Sequence, residues 1–466
     1  MRVHGLIKDS FTIMAIQLAD QKAIDKRSIL QSISDLIDII LPSVVFLTAL
    51  TTFYRFGFDS LAWAAVYGLT TFQILFRFEE FKKAIISSWL IFLVPLLTLI
   101  STFWSASQGH TFYIAFQFIY TTIFGVWLGA TYSPKKLFIA LFLAGSVGII
   151  LSVINGHLQF IRAYDDYNGF LIGIFTHKNQ LGRAIIIFSV AMLVVALASK
   201  RLSIITVLAF LTLALLVPLK QSESATSLIM FLLVLTLPVV WLFIRGTDSM
   251  RLIFVFSSIG ALMLGLAATT MVDIDLVNTL LGKLGKDSTL TGRTEIWAVG
   301  WEMVQWKPIL GLGFDAFWAA GLFDEGANIF EIHGEAINGF HNTYLEVLVS
   351  TGIVGEIFFI ATLSAVLFRV FRWLYLERSP ESLGAAYLIM ITVVTSFIEV
   401  IGFRNHDVNH LLMAMFYTLA YQRMQQANKQ PTVNLEPEKK AAVKKEDAHI
   451  PTRRPAGYSY GPRRFR

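Results

Sequence analysis

Long apolar runs dominate this sequence and constrain what it can fold into. Each run has roughly 16 to 25 residues, enough to cross a hydrocarbon core of about 30 Å as a helix that satisfies its own backbone hydrogen bonds. The runs lack the polar–apolar alternation that a transmembrane barrel requires. Because 55% of the residues are hydrophobic and 15% are charged, a water-soluble core could not enclose so much apolar surface. We therefore expect an all-α polytopic membrane protein.

The apolar runs predict about twelve transmembrane helices. Their approximate positions are 36–56, 60–76, 84–104, 111–130, 137–154, 180–199, 202–219, 226–244, 252–271, 343–368, 384–402 and 408–422. The first two spans form a tight hairpin and could instead have re-entrant geometry. We expect an N-terminal segment at residues 1–35, a membrane domain at 36–422 and one long extramembrane loop at 272–342.

The net charge of +6 arises in the C-terminal tail. From Lys429 to Arg466 there are ten Lys or Arg and four Asp or Glu. The membrane domain is therefore near neutral, which argues against a basic face for nucleic acid. A composition rich in Pro, Lys, Glu and Arg predicts that residues 423–466 form a disordered basic tail. Cysteine is absent, so no disulfide can hold an outer loop.

Basic residues divide the short connections into two groups. Lys and Arg collect in alternate connections, at Arg77, Lys82, Lys83, Lys135, Lys136, Lys200, Arg201, Arg245, Arg251, Arg369, Arg372 and Arg378. By the positive-inside rule these connections face the cytoplasm. The N-terminus and the tail are then cytoplasmic. Three polar segments, 155–183, 220–226 and 272–342, share the outer face.

The long outer loop contains an arginine at a predicted helix start. Thr291 is a candidate N-cap, Arg293 falls in the first turn, and the helix should end near Lys307 and Pro308. A guanidinium beside free N–H groups at a helix N-terminus suits a phosphate or diphosphate. Alternatively, Arg293 pairs with Glu295 or a loop carbonyl. The following Pro308–Gly313 stretch (PILGLG) predicts a tight turn, and no strand–helix unit surrounds it to support dinucleotide binding.

His341 closes the loop just before the tenth predicted span, which places it at the membrane interface. An imidazole, with an ordinary pKa of about 6.5, is suited to remove a proton from a hydroxyl at neutral pH. A structural role is the alternative. His333, His406 and His410 lie on or near the same face and compete for the catalytic assignment.

The two shorter outer segments are also more polar than a connector needs, which predicts a hydrated cavity. The candidate substrate-binding residues there are His177, Lys178, Asn179, Arg183, Lys220, Ser222 and Ser224. Loop solvation and helix capping are the alternatives. Asp273 and Asp275 have the spacing of a cation-binding D-x-D pair but directly follow a span, and no His/Cys/Glu cluster offers a metal site. We expect a metal-independent reaction without a cofactor.

Five motifs in order resemble the O-antigen ligase and polymerase superfamily of bacterial envelopes. In chain order they are Phe175–Gly182 (FTHKNQLG), Ser222–Leu228 (SESATSL), Thr291–Trp297 (TGRTEIW), Pro308–Gly313 and His341–Gly355 (HNTYLEVLVSTGIVG). The first two are similar to the exopolysaccharide-polymerisation branch in particular. Together the motifs span roughly residues 155–355.

This resemblance implies a GT-C-like helical fold in the bacterial inner membrane, with an active site on the periplasmic face. It implies transfer of a glycan from a polyprenyl diphosphate carrier to a sugar hydroxyl. The family's loop arginine and His-Asn histidine correspond to Arg293, which would contact the diphosphate, and His341, which would act as base. Asn342, next to it, is a further candidate substrate-binding residue. Many ligases also carry an Arg at the position of Ala225 here. Lys220, Lys178 and Arg183 are candidates for the missing charge.

The leading hypothesis is therefore an inverting polymerase of carrier-linked repeat units, working with membrane lipid and a chain-length regulator or export machinery. A ligase that transfers glycan to a lipid or protein is the nearest alternative, because its donor chemistry is the same. A flippase or transporter of lipid-linked glycan is an alternative of a different class. It would need ionisable groups deep in the spans, for which Glu346, Glu356 and Glu399 are the candidates.

Overall fold

The computed structural model describes residues 29–51, 53–166, 169–199, 201–247, 249, 293–319 and 339–429. The predicted span at 252–271, Thr291, His333, the D-x-D pair and most of the long loop lie outside the described residues. By internal contacts the chain divides into two units, Met1–Met424 and Gln425–Arg466. All contacts of the candidate site lie in the first unit. The domain boundaries from the sequence stay predictions.

Helices make up nearly all of the described residues, which contain no β-strand and only one isolated bridge, between Tyr164 and Leu171. The α-helices are Ile29–Thr51, Asp59–Phe76, Phe78–Ser87, Leu93–Ile100, Gln108–Thr131, Pro134–Leu158, Lys178–Ser199, Leu202–Ala214, Leu216–Ser222, Ala225–Leu235, Leu237–Arg245, Arg293–Trp306, Thr343–Glu377, Pro380–Ser396 and Val408–Lys429. Short 3₁₀ turns occupy Phe53–Phe56, Trp89–Phe92 and Ser101–Phe103.

Seven helices in the described part of the chain are long and apolar enough to cross a membrane, or eight if the bent pair Asp59–Phe76 and Phe78–Ser87 counts as one span. The all-helical, polytopic class expected from the sequence agrees with this. The number of twelve spans, the GT-C-like arrangement and the long periplasmic loop remain predictions.

Two predicted spans differ from the helices observed. The chain bends by 100° between the helices Asp59–Phe76 and Phe78–Ser87, and a separate short apolar helix, Trp89–Phe103, follows, so residues 84–104 do not form one continuous span. The predicted span 384–402 also ends early, at Ser396. Residues 397–407 are non-helical, and Gly402 has a φ of +75°. Hydropathy could not reveal this end, because Ile398, Val400 and Ile401 continue the apolar pattern.

A break in the helix Thr343–Glu377 is filled by the glycine-rich turn. Gly352 has a φ of +64°, which interrupts the helical hydrogen bonds. The N–H groups of Leu312 and Gly313 donate to the carbonyls of Val349 and Ser350 at 2.9 and 3.0 Å. On the other side of the break, Ile353 N–H donates to the carbonyl of Pro308 at 2.9 Å. The PILGLG stretch therefore fixes the segment that follows the helix Arg293–Trp306 to the helix Thr343–Glu377.

The helix Lys178–Ser199 is the most buried of the candidate spans, with 78% of its apolar window inside the protein. It packs against the helices Pro134–Leu158, Leu202–Ala214, Ala225–Leu235 and Pro380–Ser396. This burial explains its near-continuous apolar sequence from Ala184 onward. Its polar first turns, which carry Asn179 and Arg183, are thereby held among several neighbouring helices.

Candidate active site

Glu399 lies at the centre of a cluster of polar side chains. Its Oε1 atom accepts hydrogen bonds from Nη2 of Arg293 at 3.1 Å and from Nδ2 of Asn179 at 2.8 Å. Its Oε2 atom lies 3.2 Å from Nδ1 of His341. The residue itself is 8% exposed. The cluster therefore joins residues that are far apart in sequence and includes both Arg293 and His341, the two predicted catalytic residues.

The backbone around His341 is fixed by its neighbours. His341 has a left-handed φ of +50°, and the Asn342 side chain caps the next helix by accepting from the N–H groups of Tyr344 and Leu345 at 3.0 and 3.1 Å. The Thr343 hydroxyl lies 2.9 Å from the carbonyl of Glu399 and accepts from the N–H of Ile401 at 3.0 Å. The segments that carry His341 and Glu399 are thus tied together through backbone contacts as well.

The helix Arg293–Trp306 docks on the residues just before and after His341. Trp297 Nε1 donates to the Phe340 carbonyl at 2.8 Å. A Cβ at Gly300 would lie 2.9 Å from the Phe340 ring and 2.8 Å from Leu345, so only glycine permits this approach. The helix ends at Trp306, as the sequence predicted, while its predicted N-cap at Thr291 lies outside the described residues. This packing orients Arg293 toward Glu399.

The two shorter polar segments, predicted to face outward, meet at Asn179. Ser224 Oγ donates to Asn179 Oδ1 at 3.0 Å and lies 2.8 Å from Ser227 Oγ. A Cβ at Gly182 would lie 2.1 Å from Ser227 Oγ, so the helix Lys178–Ser199 approaches this serine segment closely. Asn179 therefore connects the serine segment to Glu399.

The charge state of Glu399 follows from its neighbours. Burial favours the neutral acid, but the hydrogen bond and charge of His341, with the charges of Arg293 and Arg183, outweigh burial and hold the pKa of Glu399 below its ordinary value. An ionised carboxylate can only accept hydrogen bonds, so whenever the His341 ring is neutral this contact favours the tautomer with the proton on Nδ1 and the lone pair on Nε2. The His341 side chain is 31% exposed. This arrangement suits a general base.

Arg183 lies beside this cluster. Its Nη1 atom is 3.1 Å from Asp407 Oδ2, and Asp407 Oδ1 accepts from the N–H groups of Gly402 and His410 at 3.0 and 2.9 Å. Arg183 and Glu399 both line a narrow cavity of about 30 Å³. Of the three candidates for the charge absent at Ala225, Arg183 is the one beside Glu399.

The other predicted binding residues make local contacts. Lys178 Nζ lies 3.9 Å from the centre of the Phe170 ring, and Lys220 is exposed on its helix. His177 Nδ1 accepts from the N–H of Asn179 at 3.2 Å, and the Ser222 hydroxyl donates to the Leu219 carbonyl at 2.7 Å. Together with the N-cap role of Asn342, these contacts agree with the capping alternative. A role in substrate binding for these five residues stays a prediction.

The competing histidines in the described part of the chain are held by the fold. His406 stacks on Trp63 with ring centroids 3.7 Å apart, its Nε2 lies 2.8 Å from the Tyr67 hydroxyl, and burial lowers its pKa to about 3. His410 Nε2 lies 2.8 Å from the Thr122 hydroxyl, and its ring is buried. The His410 ring is therefore buried, and the His406 ring, although partly exposed, is engaged by Trp63 and Tyr67.

Sequence reasoning named Glu399 only as a transporter candidate and did not name Asp407 or Arg404. A signal was present, because Gly402–Asp407 (GFRNHD) interrupts an apolar region with charged and polar residues just before a predicted span. Among the described residues, no group of three or more His, Asp or Glu side chains could hold a metal ion. The expectation of a metal-independent reaction stays a prediction.

Comparison with known proteins bears on this site. Residues 184–360 match the family model described as O-antigen ligase, and that range includes Arg293 and His341 but not Asn179 or Glu399. The chain is 29% identical over 378 residues to the exopolysaccharide production protein ExoQ of Rhizobium meliloti (strain 1021), which covers 76% of this chain and 83% of that relative. Residues 184–360 are therefore similar to O-antigen ligases, and the resemblance of the chain to the O-antigen ligase and polymerase superfamily is confirmed.

Proposed function

We propose that this chain is a membrane glycosyltransferase that joins oligosaccharide repeat units, carried on a polyprenyl diphosphate, into an exported polysaccharide. The contact of His341 with the buried Glu399 is the observation that carries the proposal. It provides an oriented base at a site that also contains Arg293. The similarity to an exopolysaccharide production protein over most of the chain supports polymerisation. We place the reaction on the periplasmic face of the bacterial inner membrane.

The reaction that these groups suit is one displacement. Nε2 of His341 takes the proton of an acceptor hydroxyl while the hydroxyl oxygen bonds to the anomeric carbon of the donor sugar. The bond from that carbon to the carrier diphosphate breaks, and the diphosphate leaves with the electron pair. One displacement inverts the anomeric centre. The carrier diphosphate is a good leaving group once cations hold its charge, so these residues need no metal ion for the step.

Glu399 would assist in two ways. Its carboxylate keeps the proton on Nδ1 of His341 and stabilises the imidazolium that forms when Nε2 accepts a second proton. It also holds the guanidinium of Arg293 through one N–H group at 3.1 Å, and a guanidinium has five N–H donors in a planar fork. The remaining donors of Arg293 can then contact the departing diphosphate.

A ligase is the second candidate, and the description of the matched family model favours it. A ligase would use the same donor and base but would transfer a finished glycan to a lipid or protein. The two candidates differ in what accumulates when the base is removed. Without a polymerase, single repeat units persist and long polymer disappears. Without a ligase, carrier-linked polymer accumulates unattached.

The three carboxylates that could serve a transporter, Glu346, Glu356 and Glu399, support the transporter alternative less well than they support an enzyme. Glu346 accepts from Trp318 Nε1 at 2.8 Å and from the Phe340 N–H at 3.0 Å, so it holds the outer loop in place. Glu399 belongs to the cluster around His341. Of the three candidates, only Glu356 lies away from the site and its supporting loop. This distribution favours an enzyme over a proton-coupled transporter.

The test is replacement of His341 and Arg293 by Ala in the producing cell, with the protein level in the membrane measured and surface glycans separated by length. We expect both variants to accumulate normally and to lose long polymer. Matched controls are His157→Ala and Arg162→Ala, since both side chains are exposed and lie outside the cluster. Unchanged polymer in His341→Ala, at a normal protein level, would show that the site assignment is wrong.

A further inference from the structure

A second cavity lies next to the Glu399 cluster. It has a volume of about 240 Å³, and its polar lining comes from Gln180, Arg183, Arg404, Asn405, His406 and Asp407. Its apolar lining comes from Ala49, Leu50, Ala184, Val400 and Val408. This volume exceeds the 150 Å³ or so of an engineered cavity that holds benzene. The cavity is thus large enough for a small ligand group.

Two contacts connect this cavity to the candidate active site. Arg183 lines both this cavity and the narrow one that contains Glu399. Arg404 packs against the backbone of Gly339, two residues before His341, where a Cβ would lie 2.2 Å from its Nη2 atom. A ligand here would therefore lie beside the reacting groups rather than at a remote surface.

The lining of the cavity suits an anion. Arg183 and Arg404 contribute two guanidinium groups, whose planar donor forks match phosphate oxygens. The one carboxylate, Asp407, has both oxygens in hydrogen bonds, to Arg183 on one side and to backbone N–H groups on the other. His406 is neutral because burial lowers its pKa to about 3. Oε1 of Gln180 accepts from Thr176, which leaves its amide N–H groups as donors.

We propose that this cavity is a second diphosphate-binding subsite, separate from the one at Arg293 and His341. The proposal deepens the proposed function and rests on it for the source of the diphosphate. A polymerase must hold two carrier-linked chains at once. One chain loses its diphosphate in the reaction, and the other keeps its diphosphate while its sugar hydroxyl attacks. One cationic position at Arg293 and another at Arg404 fit that requirement.

The first test measures binding of inorganic pyrophosphate to the purified full-length protein in nanodiscs by calorimetry at constant ionic strength. Losing one charge-assisted guanidinium contact should weaken binding about tenfold, so we expect this from Arg404→Gln. Arg162→Gln, outside the cavity, should bind as the wild type does. Equal affinity of Arg404→Gln and wild type overturns the proposal.

A second test keeps both arginines in place, in case Arg404→Gln does not fold. The chain has no cysteine, so Ala49→Cys introduces a single thiol in the cavity wall. We expect pyrophosphate to slow its reaction with a small charged thiol reagent at least fivefold, also when Arg293→Gln is added. Ala106→Cys, an exposed control outside the cavity, should react at the same rate throughout. Loss of the protection in the Arg293→Gln background would show that the subsite is not separate.

A kinetic measurement then separates the two sources of diphosphate. With carrier-linked donor and acceptor varied independently, Arg404→Gln raises the KM for the acceptor if the cavity holds the retained diphosphate. A raised KM for the donor instead would place the leaving group in the cavity and would overturn the proposal, which assigns that group to Arg293. An unchanged KM for both overturns the carrier-lipid source. If the protein shows no glycosyl transfer at all, the proposed function fails, while the two pyrophosphate tests still decide whether the cavity binds anions.

Discussion

Nδ1 of His341 lies 3.2 Å from Oε2 of Glu399, a residue 58 positions later in the chain. The carboxylate is buried and the imidazole is partly exposed. Because the Glu399 carboxylate contacts Nδ1 of His341, the other ring nitrogen, Nε2, faces away from Glu399 and can face a substrate. Glu399 contacts the base and not the reacting atoms in our proposal, so it is a positioning residue.

The first prediction concerns Glu399→Gln, which keeps the size of the side chain and removes its charge. We expect glycosyl transfer to fall about a hundredfold or more, because the amide can donate to Nδ1 and favour the wrong tautomer. The activity–pH profile should also shift, which a purely structural role would not cause. Glu302→Gln, on the exposed face of the helix Arg293–Trp306, is the matched control. Wild-type activity and an unshifted profile in Glu399→Gln would refute the positioning role.

The second prediction concerns stability at acid pH. Folding lowers the pKa of Glu399 below its ordinary value of 4.5, so the folded state binds this proton less readily than the unfolded state does. The resulting stabilisation is present above about pH 4.5 and is lost as pH falls through the lower folded pKa. Thermal unfolding of wild type and Glu399→Gln should therefore converge as the pH decreases below 4.5. If the difference in melting temperature between wild type and Glu399→Gln instead grew as the pH fell, the lowered pKa assigned to Glu399 would be wrong.

The third prediction concerns the helix break at Gly352. Alanine there would place a Cβ 2.2 Å from the Ile309 carbonyl oxygen, at a φ of +64°. We expect Gly352→Ala to destabilise the protein by about 2 kcal/mol or more, measured by thermal unfolding. Gly109→Ala is the control, because nothing lies within 4 Å of a Cβ at that position. Equal melting temperatures of the two variants would contradict the role assigned to the PILGLG turn.

The fourth prediction concerns stereochemistry. One displacement with His341 as base gives a new linkage of opposite anomeric configuration to the donor's bond with diphosphate. Nuclear magnetic resonance of the donor sugar and of the isolated polymer measures both configurations. Retention of configuration would require two displacements, and the single-displacement mechanism would then be wrong.

The sequence was sufficient to predict the helical membrane class. It also offered Arg293 and His341 as candidates, through a helix start, a membrane boundary and the family motifs, and their catalytic roles stay predictions. It was not sufficient to place Glu399. Hydropathy assigns Glu399 to a span at 384–402, whereas the helix ends at Ser396. That end depends on Thr343, whose hydroxyl binds the backbone at Glu399 and Ile401 from a distant segment.

The same limit applies to the serine segment and the glycine turn. The local sequence makes Ser222 and Ser224 equally good candidates for the site, yet of the two only Ser224 hydrogen-bonds to Asn179. The Gly311 and Gly313 positions predict a turn, but their role depends on Gly352 in a helix that begins thirty residues later. Contacts of this kind arise from packing between distant segments, which periodicity and spacing do not encode.

Reconstitution tests the central claim most directly. Purified wild-type protein and His341→Ala, each in nanodiscs with a chelator present, would receive a polyprenyl diphosphate-linked repeat unit. Product length would be measured by mass spectrometry. We predict that the wild type makes polymer and releases carrier diphosphate, while His341→Ala, folded to the same melting temperature, does so at least a hundredfold more slowly. Equal rates of polymer formation by the two proteins would contradict the assignment of His341 as the base.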